Sequence, residues 1–300
     1  MRSALKSCTA LLAGCTLFLA LGCNAAESAQ GFITVPDGAR IHYLDAGQRD
    51  HGSTLLFIPG WTMDASVWQE QMHHFASAHR VVAMDPRSQG ESSRTTAGNT
   101  PEQRARDLST LIAQLKLAHV VLIGWSQGVQ DVAAYVAQSG TAKLDGIVLV
   151  DAAVSSGPQI AQLHPQFTKT VLGNMAIYAA HPRNYLQGMM QAIFRKPLST
   201  QEMQRMVDGS LRTPTDTGIA MLTMDMFAVD RRPMLAKFDK PTLIIAADSS
   251  SELADQRAEA RRMPSARAVV IANAGHAVFH DQPRAFNATL EKFLAGLSQR

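Results

Sequence analysis

Residues 119–128 read His-Val-Val-Leu-Ile-Gly-Trp-Ser-Gln-Gly. An apolar β-branched run at 120–123 stops at Gly124, Ser126 stands at the apex of Gly-x-Ser-x-Gly, and 129–138 carries a helical pattern. The stretch is therefore expected to form a strand, a sharp turn and a helix, with a serine at the tightest point. The two glycines are needed because such a turn brings the flanking backbones too close for a Cβ. The serine is thereby forced into a strained, exposed conformation with its hydroxyl clear of the sheet. The amide of Gln127 opens the helix and can point at an oxyanion. The plainer alternative is a serine that only caps the helix.

Outward from this stretch the pattern repeats. Residues 33–35 and 41–44 read as an opening hairpin around Pro36-Asp37-Gly38. Apolar runs at 54–58, 81–84, 120–123, 147–150, 243–246 and 268–271 fit strands of a sheet covered on both faces. Between them lie helical stripes such as Leu108, Leu111, Ile112 and Leu115, and near the C-terminus Phe286, Leu290, Phe293 and Leu297. Strands alternating with helices predict an α/β fold, a mostly parallel, doubly wound eight-stranded sheet flanked by helices.

Residues 155–235 break the alternation. They contain helical patterns punctuated by Pro165, Pro182, Pro197 and Pro214, and no convincing strand. This predicts a helical cap inserted after the sixth major strand, so that 27–154 and 236–300 form the core. Nine of the 14 methionines fall between Met175 and Met234. Most fit gap-filling in small helical cores, and some could line a pliable apolar pocket over Ser126, with Met175, Met189, Met221, Met224 and Met226 as candidates.

A serine hydroxyl is a weak nucleophile at neutral pH, and it needs a base whose tautomer is held by an acceptor. Both partners should lie at the carboxyl ends of later strands. The run 243–247 ends at Asp248, and the run 269–271 leads through Asn273-Ala274-Gly275 to His276. The order Ser126, Asp248, His276 is that of a nucleophile–acid–base triad. Two rivals stand close by: His280 for the base, and Asp151, which ends the sixth major strand in Leu-Val-Asp-Ala, for the acid. For the oxyanion the expected donors are the backbone amides of Gln127 and of Trp61, in the turn Pro59-Gly60-Trp61.

The first 26 residues read as an export signal. Arg2 and Lys6 precede an apolar run at 11–21 and the small residues Gly22, Cys23, Ala25 and Ala26. Leu12-Ala13-Gly14-Cys15 and Ala20-Leu21-Gly22-Cys23 both resemble a lipobox, so the alternatives are a periplasmic or secreted protein and one anchored through a lipid. Membrane contact is expected only through such an anchor. Cys8, Cys15 and Cys23 are the three cysteines, all in this segment, so the rest has no disulfide, cysteine nucleophile or cysteine-based metal site. Removing the segment leaves 26 basic against 25 acidic residues, which is no footprint for nucleic acid.

Several stretches together resemble a known group. They are Pro-Gly-Trp-Thr-Met-Asp-Ala-Ser-Val-Trp at 59–68, Asp-Pro-Arg-Ser-Gln-Gly-Glu-Ser-Ser at 85–93, Gly-Trp-Ser-Gln-Gly at 124–128, Lys-Pro-Thr-Leu-Ile-Ile at 240–245, and Gly-His with a later Asp-Gln-Pro at 275–283. The chain resembles the α/β-hydrolase superfamily, and within it the bacterial non-haem haloperoxidase, arylesterase and perhydrolase type. The resemblance implies an acyl-serine intermediate, no cofactor and no metal, with a small-molecule ester as substrate. Three departures accompany it: Pro59-Gly60 replaces the usual His-Gly, Ser88 replaces the first glycine of Asp-x-Arg-Gly-x-Gly, and Val129 follows the elbow where glycine is common. The expectation is an exported serine hydrolase of carboxylic esters. A C–C, lactone or amide hydrolase or a perhydrolase on the same triad is the alternative, and a binding protein on a hydrolase scaffold is the non-enzymatic one.

Overall fold

The computed structural model describes residues 28–48 and 52–298. The export segment proposed for residues 1–26 lies outside them. Eight strands form one sheet in the order β1-β2-β4-β3-β5-β6-β7-β8. They are β1 (Ala29–Thr34), β2 (Arg40–Gly47), β3 (Thr54–Ile58), β4 (Arg80–Met84), β5 (Val120–Trp125), β6 (Leu144–Val150), β7 (Thr242–Ala247) and β8 (Ala266–Ile271). β1 and β2 pair antiparallel as a hairpin turning at Gly38, and β2 runs antiparallel to β4. Every other pairing is parallel. All residues of β3, β4, β5 and β7 are buried, in keeping with the apolar runs that fill them behind Thr54, Arg80 and Thr242 at three of their starts. This is the expected α/β-hydrolase fold.

Helices cover both faces. α1 (Gln69–Phe75), α2 (Pro101–Gln114) and α3 (Gln127–Ser139) belong to the first half of the chain. Between β6 and β7 come α4 (Ile160–Leu163), α5 (Pro165–Ala180), α6 (Pro182–Ile193), α7 (Thr200–Ser210) and α8 (Thr215–Thr223), then a π-helical turn at Met224–Ala228. α9 (Leu253–Ala260), α10 (Val278–Asp281) and α11 (Pro283–Leu297) complete the core. Pro165 and Pro182 open α5 and α6, where a missing N–H costs nothing.

The helical insertion is closed at its neck and bolted to the core. Ser156 and Asp230 form an antiparallel bridge, and the Arg231 amide donates to Ser155 O at 2.8 Å. Trp61 Nε1 donates to Gly218 O of α8 at 2.8 Å, and its ring meets Tyr178 of α5 edge-on at 5.1 Å. Underneath, the buried Arg104 of α2 donates to Asp131 of α3 at 2.8 Å and to Asp225 of the π turn at 2.5 Å. Burial pushes the Asp131 carboxyl up to about 7 even against this guanidinium, and pushes Asp225 upward as well. Removing one partner of such a buried group leaves an uncompensated charge, which is strongly destabilising.

The segment that leaves β6 is held amide by amide. Asp151 N donates to Ile245 O at 2.9 Å, Ala153 N to Glu252 at 2.9 Å, Val154 N to Glu259 at 2.9 Å and Ser155 N to Gln130 at 2.8 Å. Glu259, on α9, is 4% exposed, and its second oxygen has no hydrogen-bond partner. Burial pushes its carboxyl up to about 8, against the Val154 amide and with help from Glu252 and Asp255. An acid raised this way stabilises the fold while protonated, and loses that contribution as pH rises from its ordinary value near 4.5 through about 8. Glu259→Gln keeps the acceptor for Val154 and removes the titration. Its stability relative to wild type should therefore grow between pH 5 and 8, by at most about 1.4 kcal/mol per pH unit. Urea unfolding of both proteins at several pH values measures this; a difference that is flat with pH would refute it.

Candidate functional site

The strand–turn–helix at 120–139 has the expected form. Ser126 adopts φ 55° and ψ −118° between β5 and α3, a conformation that L side chains rarely adopt. A Cβ on Gly124 would lie 2.4 Å from Gly128 O, and one on Gly128 would lie 2.8 Å from Ile58 O. A Cβ on Gly60 would lie 3.2 Å from the Cβ of Ser126, so the turn after β3 presses directly against the serine.

His276 reaches the serine. Its Nε2 is 2.8 Å from Ser126 Oγ, and its Nδ1 is 2.8 Å from Asp151 Oδ2. The ring packs against Trp125 at 5.5 Å between centroids, and Trp125 Nε1 donates to His276 O at 2.9 Å. His280 lies apart, its ring edge-on to Phe194 at 4.7 Å.

The expected acid, Asp248, is not the partner of His276. Its side chain is 39% exposed and accepts the Asn273 amide at 3.0 Å and the Ala274 amide at 3.3 Å. These amides, joined by Arg195, hold its carboxyl below the usual range. Asp248 thus braces the turn after β8. The strand order explains why Asp151 takes the place beside His276: β6 lies between β5 and β7, next to the strand that carries Ser126. Asp151 itself has φ 48°, which turns its carboxylate inward. It is 2% exposed, and its other oxygen accepts Ala247 N at 2.8 Å.

Trp61 and Gln127 both face the cavity beside Ser126. Gln127 is the first residue of α3, where a helix leaves amides without internal acceptors. One residue that sequence reasoning missed joins the two. Buried Gln89 donates to Gly60 O at 2.9 Å and to Met63 O at 2.6 Å, and accepts from the Gln127 side chain at 2.9 Å. The preceding Ser88 has φ 63°, the left-handed position that its family resemblance assigns to glycine. Val129, the third departure, is fully buried behind the elbow.

The cavity over Ser126 measures about 730 Å³. Leu163, Phe167, Val171, Met189, Leu222 and Met226 of the helical insertion give it an apolar side. Residues 249–251 with Glu252, Asp255 and Arg262 form a polar side. Of the five candidate methionines, Met189 and Met226 line it and Met175, Met221 and Met224 do not. Among the described residues no group of three or more His, Cys, Asp or Glu side chains is placed to hold a metal ion.

Residues 55–289 match the model of the alpha/beta hydrolase family. The chain is 28% identical over 289 residues to the non-heme chloroperoxidase CPO-A1 of Kitasatospora aureofaciens, covering 87% of this chain and 98% of that one. It is 33% identical over 123 residues to the bifunctional esterase/perhydrolase DCH of Acinetobacter calcoaceticus, covering 41% of this chain and 44% of that one. In fold it is similar to a bromoperoxidase from Bacillus anthracis, with a TM-score of 0.81 at 23% identity, covering 89% of this chain and 100% of that one. With its sheet order, its strained serine between strand and helix and the match over most of its length, the chain belongs to the alpha/beta hydrolase family.

Proposed function

We propose that the protein hydrolyses carboxylic esters through an acyl-serine intermediate, with Ser126 as nucleophile, His276 as general base and Asp151 as the acid that orients it. The observation that carries this reading is the continuous relay of two 2.8 Å contacts from Asp151 through His276 to Ser126 Oγ. In the first half-reaction Oγ attacks the ester carbonyl while Nε2 of His276 takes its proton. Asp151, buried behind the ring, holds Nδ1–H toward itself and stabilises the imidazolium that forms. The carbonyl oxygen becomes an oxyanion, which the backbone amides of Trp61 and Gln127 receive. Collapse breaks the C–O bond, and the alcohol leaves with the proton from His276. Water, deprotonated by the same nitrogen, then frees the carboxylic acid and restores Ser126.

The apolar wall under the helical insertion fits an acyl chain or an aromatic acyl group. The Acinetobacter relative, an esterase/perhydrolase, favours perhydrolysis as a second reading, in which hydrogen peroxide replaces water as acceptor. A purely binding role gives no reason for the strain at Ser126 or the relay behind it.

Wild-type protein should release p-nitrophenol from p-nitrophenyl esters, and Ser126→Ala should lose on the order of 10³-fold or more in kcat. Asp151→Asn should lose far more activity than Asp248→Asn, because only the former leaves His276 without the acceptor that fixes its tautomer. Equal losses, or the reverse order, would return the acid to the seventh strand.

Bulky replacements test the acyl wall. Met189→Trp and Met226→Trp should lower kcat/KM for long acyl chains tenfold or more relative to acetate, since one or two methylenes of pocket contact are worth about 1–3 kcal/mol. Unchanged chain-length preference in both folded variants would place the acyl group elsewhere.

A further inference from the structure

A base that must meet a hydroxyl and a carboxylate at once needs its own backbone fixed. His276 sits in a short loop between the end of β8 and the start of α10. The buried carboxylate of Asp281, the last residue of α10, closes that loop. One of its oxygens accepts Gly275 N at 2.7 Å and Arg195 N at 3.0 Å, and the other accepts Lys196 N at 2.9 Å. Asp281 is 0% exposed, so all three bonds end on a carboxylate shielded from water. On the other side of His276, Ala277 N donates to Ile193 O at 3.0 Å. Gly275 passes so close that a Cβ there would lie 2.9 Å from Ile193 O.

Both peptide neighbours of His276 are thus tied to one stretch of the insertion, the exit of α6 at residues 193–196. Ala277 is tied directly, and Gly275 through Asp281. That same helix carries Met189 and Ile193 on the cavity wall. We infer that Asp281 is a positioning residue for His276, which locks the base to the end of the helix that touches the substrate cavity. The inference rests on the reading of His276 as the general base.

The chemistry of the site makes it specific for a carboxylate. Three N–H groups converge on two oxygens, and an amide would offer one acceptor while turning its own NH₂ toward a donor. Loss of the buried bond from Gly275 N would let the loop move from its place, and an angular error of the imidazole lowers kcat more than substrate binding.

Kinetics and proton NMR on the full chain test this, with His276→Asn, Asp151→Asn and Arg80→Gln as references. Arg80, at the start of β4, pairs with Asp45 and lies at the end of the sheet away from Ser126. Asp281→Asn should lower kcat for a p-nitrophenyl ester by tenfold or more with KM within threefold. It should also weaken or shift the downfield Nδ1 proton of His276, the signal that Asp151→Asn should abolish. Arg80→Gln, despite its lowered Tm, should keep both. Should Asp281→Asn not fold, Asp281→Glu keeps the charge but displaces the oxygens, and the same fall in kcat and shifted resonance are expected from it. Full kcat and an unchanged resonance in the folded variant would overturn the inference, as would an equal loss in Arg80→Gln at matched Tm. If His276→Asn hydrolyses esters like wild type, the reading of the site fails instead.

Discussion

Between Gly124 and Gly128 the strand and the helix leave no room for a Cβ, which would sit 2.4 Å from a carbonyl oxygen. That closeness forces Ser126 to turn through a left-handed conformation and leaves its hydroxyl above the carboxyl edge of the sheet. It also lets the β3 turn come within contact of the serine through Gly60. Around this hydroxyl His276 arrives from beyond β8 at one edge of the sheet, with Asp151 of the neighbouring β6 behind it, and Gln127 opens the helix that the turn starts.

The second demand is that loops from three parts of the chain hold still around that hydroxyl. Polar side chains meet it by accepting loop amides. Gln130, Glu252 and Glu259 take those of residues 153–155, Asp248 takes those of 273 and 274, and Asp281 takes those of 195, 196 and 275. Buried backbone donors need such acceptors, and each one supplied also fixes the position of a residue in the site. The cost is visible in Glu259, whose carboxyl burial pushes up to about 8.

Much of this was legible in the sequence, for physical reasons. Central strands buried on both faces carry continuous apolar runs, so the run at 54–58 matches β3 to the residue, and β5 and β7 extend only one or two residues beyond theirs. Ser126 and His276 were marked by the glycines that their turns require. The carboxylate partner of His276 was not legible in the same way. Asp151 and Asp248 both end apolar runs, and what separates them is sheet order and a φ of 48° at Asp151, neither of which is written in local sequence. Gln89 and Asp281 fall in stretches that carry the family resemblance, yet their roles and that of Glu259 are not legible, because a side chain that bonds a distant backbone group leaves no periodic trace. The methionines divided for a related reason: the period of a helix shows which residues share a face, but not that Met226 meets the cavity while Met221 is buried away from it.

The central claim is that Ser126 is a nucleophile activated by His276. The most direct measurement is intact-mass and peptide mapping after treatment with a fluorophosphonate. The account predicts a single phosphonyl adduct, on the peptide containing Ser126, formed at least a hundredfold more slowly in His276→Asn. An adduct on another serine, or labelling of Ser126 at an unchanged rate without His276, would contradict it.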